Sequence, residues 1–90
     1  MQKLNVINVL YFAHVREIVG IAQESIDVAP GALVSELLDA LSSRYDGLGP
    51  LLERCRVTLN GEFVGPEASL DGGGELVIIP PVSGGAGRQP

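Results

Sequence analysis

Between Leu4 and Ala13 the segment LNVINVLYFA is rich in β-branched and aromatic residues and reads as a strand. The spacing then changes. Val15, Ile18 and Val19 stand at i, i+3 and i+4, which predicts one or two helical turns over His14–Gly20 with Gly20 as the stop. ESIDVAPG returns to alternation, with Ile26 and Val28 on one face, and Pro30-Gly31 ends this second strand. The longest periodic run follows: Leu33, Val34, Leu37, Leu38, Leu41 and Tyr45 recur at helical period. Glu36 and Asp39 lie nearer its start and Arg44 nearer its end, as the helix dipole favours, and Gly47 is placed to cap it. LGPLLER is a linker or a short turn of helix. RVTLNGEFVG predicts a hairpin, because a tight turn at Asn60-Gly61 needs residues that tolerate φ > 0. PEASLDGGG is a loop, and ELVIIPPV is the last strand.

The predicted order is therefore strand, short helix, strand, long helix and three further strands. One main helix lying against a mixed sheet of four or five strands is an α+β architecture. A helix between two hairpins is the order of a β-grasp, or ubiquitin-like, fold, whose first and last strands are parallel neighbours at the centre. No linker is long enough to separate a second domain, so residues 1–83 are assigned to one domain and 84–90 to a flexible C-terminal tail.

The two central strands carry an anomaly. In the first, Leu4, Val6, Leu10 and Phe12 share one phase, and Ile7, Val9 and Tyr11 share the other. In the last, Leu76 and Ile78 point one way, Val77 and Ile79 the other. A sheet covered on one side should alternate apolar and polar residues. One helix covers one face, so the second apolar face has either a partner or a covering loop such as LGPLL. A contiguous apolar patch on a soluble domain marks an interface. The partner-facing set is assigned as Ile7, Val9, Tyr11, Val77 and Ile79, joined by Arg16 and by Pro80, Pro81 and Val82 of the tail.

Composition narrows the function classes. Ninety residues, 46% apolar and 19% charged, make a small globular domain whose core must rest on Leu, Ile and Val. A net charge of −5 with scattered basic residues argues against nucleic acid or an anionic membrane as partner. Asn5, Asn8, His14 and Arg16 interrupt the early apolar run, so neither a leader nor a membrane span is expected. Cys55 is the lone cysteine, which excludes an internal disulfide and suits a reducing cytoplasm. His14 has no ligand-spaced companions for zinc, LDGGGEL lacks a phosphate-loop pattern, and no carboxylates pair for acid–base work.

The end of the chain offers a different chemistry. Pro80 and Pro81 cannot continue a ladder and favour a stiff, extended exit. Gly84 and Gly85 present no side chain, so they pass a narrow tunnel and let foreign backbone approach closely. The useful group on such a tip is a terminal carboxylate. Once activated, it accepts sulfur as a thiocarboxylate or an amine as an amide. Ordering residues 80–85 costs ~1–2 kcal/mol each, and glycine returns little apolar area. Affinity must then come from the uncovered sheet face. These features point to a carrier whose chemistry belongs to its partners.

VLYFAHVREIVG, TLNGEFV and DGGGELVIIPPVSGG together resemble the family of small, sulfur-carrying subunits of molybdopterin synthase, over nearly all of residues 4–85. The resemblance implies that an ATP-using enzyme adenylates Gly85 and that a thiocarboxylate follows. It further implies that the tail enters the large subunit's active site and passes sulfur to a cyclic pyranopterin phosphate. No cofactor is then bound directly by this chain, and ATP is used by the activating partner. The resemblance also implies an end at the second glycine, as is usual in that family, whereas here Ala86-Gly87-Arg88-Gln89-Pro90 follow. The extension is trimmed by a protease, left from a longer fusion, or inactivating; trimming after Gly85 is the expectation. The rivals are a carrier for thiamine synthesis or nucleoside thiolation, a ubiquitin-like modifier joined to lysines through Gly85, and a plain interaction module.

Overall fold

The computed structural model describes residues 3–81. Its elements are β1 (Asn5–Tyr11), α1 (Ala13–Val19), β2 (Gln23–Val28), α2 (Val34–Arg44), α3 (Leu48–Leu52), β3 (Arg56–Leu59), β4 (Glu62–Val64) and β5 (Gly74–Ile79). The five strands form one sheet in the order β2-β1-β5-β3-β4. β1 and β5 are parallel at its centre, and the remaining pairs are antiparallel. This is the predicted α+β β-grasp, with the sheet at the upper end of the expected strand number. The boundary assigned at 83/84 and the tail itself lie outside the described residues.

Local chemistry sets the element ends. The N–H of Gly20, at φ 90°, donates to the carbonyl of Arg16 and closes α1. At the start of α2, Glu36 Oε1 accepts the Leu33 N–H at 2.8 Å, which satisfies a donor that the helix leaves free. This half of a capping box explains why the helix begins without Ser, Thr or Asp before it; leucine has no oxygen to supply the reciprocal half. α2 ends at Arg44, short of the predicted Gly47 cap, and Gly47 at φ 85° turns the chain into α3 instead. Asn60 at φ 52° and Gly61 at φ 89° make the predicted hairpin turn.

The core lies between the helices and one face of the sheet. Val34, Leu37 and Leu41 of α2 and Leu48 and Leu52 of α3 pack with Ile7, Val9, Tyr11, Val57, Leu76 and Ile78. α3 packs against α1 and α2, so LGPLL extends the helical layer and does not fold over the opposite face. Among the described residues, that face is therefore left uncovered by LGPLL.

The packing also corrects the assignment of Ile7, Val9 and Tyr11 to a partner. Their exposures are 0%, 0% and 1%. The β1–β5 register sets Val9 beside Leu76 and Tyr11 beside Ile78, and both of those are fully buried. This phase therefore faces the helices. The outward phase of β1 is Leu4, Val6, Asn8, Leu10 and Phe12. Both phases are apolar and each carries one asparagine, Asn5 inward and Asn8 outward, so neither hydrophobicity nor polarity alone orients the strand.

Candidate functional site

Two features meet on the helix-free side of the sheet, an apolar strip and the exit of the tail, and a polar lock lies behind them on the helix side. The strip is the apolar part, Leu10, Val77 and Phe63, of a row running across all five strands. Gln23 pairs with Leu10, Leu10 with Val77, Val77 with Thr58, and Thr58 with Phe63. Leu10 and Val77 at its centre are half-buried. Phe63 ends the row at 58% exposure, Val6 flanks it at 53%, and Leu4 lies beyond. Ile79, one step further along β5, pairs with Arg56.

The exit follows from strand direction. β1 and β5 run parallel, so both finish at the same edge of the sheet. Phe12, 47% exposed, follows the last residue of β1, and the half-buried Pro80 and Pro81 follow the last residue of β5. The chain therefore leaves the sheet beside the apolar strip and not across the domain from it.

Behind the exit, Tyr11 Oη donates to Glu24 Oε2 at 2.5 Å, and Tyr45 Oη donates to the same oxygen at 2.8 Å. Arg44 lies 3.5 Å from the other oxygen of Glu24. These contacts tie edge strand β2 and the end of α2 to the last residue of β1. Burial, then the hydrogen bond to Glu24 and its negative charge, push the Tyr11 phenol well above its ordinary range. The same carboxylate raises Tyr45, chiefly through its hydrogen bond. Glu24 shares the inward phase of β2 with Ile26 and Val28. A carboxylate in that phase needs donors, a signal present in the sequence that the pattern reading did not use.

At the opposite end of the sheet, glycines permit a close approach. A Cβ on Gly73 would stand 2.7 Å from the Val6 carbonyl oxygen, and one on Gly74 would overlap the Asn60 side chain. Asn60 Oδ1 accepts the Glu75 N–H at 2.9 Å, and Asp71 Oδ1 accepts the Gly31 N–H at 2.8 Å. The DGGG segment thus makes the predicted turn into the last strand.

The structure places the predicted site residues unevenly. Val77 and Ile79 face outward as assigned, Pro80 and Pro81 stand at the exit, and Arg16 is exposed on α1. Ile7, Val9 and Tyr11 are in the core, while Val82, Gly84 and Gly85 lie outside the described residues. Val6, Leu10, Phe12, Arg56 and Phe63 belong to the face and were not in the predicted set. A groove of about 530 Å³, with Arg56 and Phe63 at its rim as well as on the face, lies between α2, α3 and the β3–β4 hairpin. It is lined by Cys55, whose thiol donates to the Leu51 carbonyl and is pushed up by burial, away from the reactive thiolate.

The model of the ThiS family matches residues 9–85. The molybdopterin synthase sulfur carrier subunit of Chlamydomonas reinhardtii is 37% identical, with 88% of this chain and 98% of that protein covered. The crystal structure of small archaeal modifier protein 1 of Haloferax volcanii superposes with a TM-score of 0.69 at 30% identity, covering 87% of this chain and 99% of the other. A ubiquitin of Caldiarchaeum subterraneum, 19% identical over 92% of this chain and 100% of its own, shares the fold at a TM-score of 0.62.

Proposed function

The chain belongs to the ThiS family, and from that premise we propose that it is the sulfur carrier of molybdenum cofactor biosynthesis. Gly85, freed of residues 86–90 by a protease, supplies the reacting carboxylate. An activating enzyme joins that carboxylate to AMP from ATP and releases pyrophosphate. A sulfur nucleophile then displaces AMP and leaves a thiocarboxylate. The tail from Pro80 to Gly85 enters the active site of a large subunit, which holds the catalytic side chains. There the sulfur passes to a cyclic pyranopterin phosphate.

The observation that carries this reading is the uncovered apolar face ending where the tail leaves the sheet. A glycine tip binds weakly because it returns little for its lost entropy. An adjacent face of Phe12, Leu10, Val77, Ile79 and Phe63 supplies the affinity, and the parallel β1–β5 pair aims the tail from that face. The similarity to carrier subunits named for molybdopterin synthase favours that pathway over other sulfur transfers.

The test is to end the chain at Gly85 and supply ATP, the cognate activating enzyme and a sulfur donor. Intact mass should rise by the exchange of one oxygen for sulfur, and the chain extended to Pro90 should stay unchanged. No ATP-dependent change in the Gly85-ending chain overturns the proposal. The likeness to an archaeal modifier protein favours a second use of the same carboxylate, attachment to lysine amines. Isopeptide-linked adducts in place of the thiocarboxylate would select it.

A further inference from the structure

Arg56 is the one cation among the described strand residues of the outer face, where Asp27 and Glu75 supply the acidic charge. Its guanidinium carbon lies 4.0 Å from the centroid of the Phe63 ring. Arg56 pairs with Ile79 and Phe63 with Thr58, so the two side chains are diagonal neighbours on one face. Among the described residues the Arg44–Glu24 contact is the ion pair formed, and no side-chain hydrogen bond involves Arg56. Arg56 thus differs from Arg44, which has its carboxylate within the chain.

A guanidinium stacked on an aromatic ring keeps its edge N–H donors directed outward. The stack also restrains the side chain before binding, so less freedom is lost when a planar acceptor arrives. A carboxylate matches that edge with two parallel hydrogen bonds. The chain carries a net charge of −5, so an approaching carboxylate is attracted here and opposed over most of the remaining surface.

We propose that Arg56, held over the Phe63 ring, anchors a carboxylate of the protein partner at the tail-exit end of the outer face. The partner is the large subunit, and the assignment rests on the docking reading given above. The contact sets register: it fixes which end of the apolar strip lies under which part of the partner, and so where the tail from Pro80 is aimed. Apolar contacts alone leave that sliding freedom open.

The experiment is calorimetric titration of the cognate large subunit with the full chain and with the chain ended at Gly85, at several salt concentrations. Arg56→Met keeps packing over the ring and removes the charge; Arg56→Lys keeps the charge and removes the fork. Met should weaken binding about 10- to 30-fold, the range of an interface anchor, and flatten its dependence on salt. Lys should recover the salt dependence and only part of the affinity. Unchanged urea midpoints would show that both variants fold. An Arg56→Met chain that binds like the parent with the same salt response overturns this assignment and leaves the docking reading standing. Failure of both parent forms to bind overturns the docking reading and this assignment together.

Discussion

The inner and outer faces of β1 and β5 are built from the same kinds of residue and have opposite fates. Ile7, Val9, Leu76 and Ile78 are fully buried beneath the helices. One residue along each strand, Leu10, Val77 and Ile79 are covered only in part, and Val6 is 53% exposed. The difference is supplied by the single helical layer, since α2 and α3 lie on one side of the sheet. Apolar character therefore means stability on one face and recognition on the other, and substitutions should separate the two.

The sharpest break comes from truncating the inner face. Leu76→Ala should cost about 2–5 kcal/mol of unfolding free energy, measured by urea denaturation, because a fully buried site leaves a cavity. Val77→Ala, its outward neighbour, should cost less than about 1 kcal/mol and reduce affinity for the large subunit instead. Equal stability losses at the two positions would mean that the outer face is covered by the chain itself.

A smaller effect tests the glycine-dependent approach of β5 to β1. Gly73→Ala places a Cβ against the Val6 carbonyl at φ 68° and should destabilise by about 1–3 kcal/mol in the same assay. A neutral result would show that β1 shifts freely at that point, which would undo the fixed registry on which the two faces depend.

The polar lock gives a pH-dependent prediction. The Tyr11 phenol is raised in the folded state by burial and by Glu24, whereas an unfolded tyrosine titrates near about 10. The folded chain then holds a proton that the unfolded chain releases, so its stabilisation is present below pH about 10 and declines as pH rises further, by at most ~1.4 kcal/mol per pH unit for one group. Tyr11→Phe should flatten this decline in denaturation curves measured on either side of that pH. An unchanged slope would leave Tyr45 or another group as its source.

The smallest effect sharpens the comparison from the solvent side. Val6→Ser, at an exposed outward position, should change stability by less than about 0.5 kcal/mol by thermal or urea unfolding. Its influence on partner affinity should be smaller than that of Val77→Ala, because Val6 lies farther from the tail exit.

Much of the architecture was legible in local patterns. The period of α2, the Asn60-Gly61 turn, the Gly20 stop and the alternation in β2 all record interactions between residues close in sequence. The site was legible in kind, as a two-sided strand leading to a Pro-Pro exit, and partly misplaced in detail. Val77 and Ile79 lie on the helix-free face, whereas Ile7, Val9 and Tyr11 lie in the core. Arg56 and Phe63 went unnoticed because they are distant from the tail in sequence and reach its exit only through the β3–β5 and β3–β4 ladders.

By itself the sequence determined the elements, their order, and the presence of more apolar strand surface than one helix can cover. Those properties depend on backbone propensity, side-chain period and composition, which act within a few residues. Only the tertiary structure decided which phase of β1 meets α2, where α3 packs, and that Glu24 gathers two tyrosines and an arginine. A strand with two equally apolar phases stays degenerate until registry with a neighbour and contact with a helix orient it, and those contacts join residues far apart along the chain.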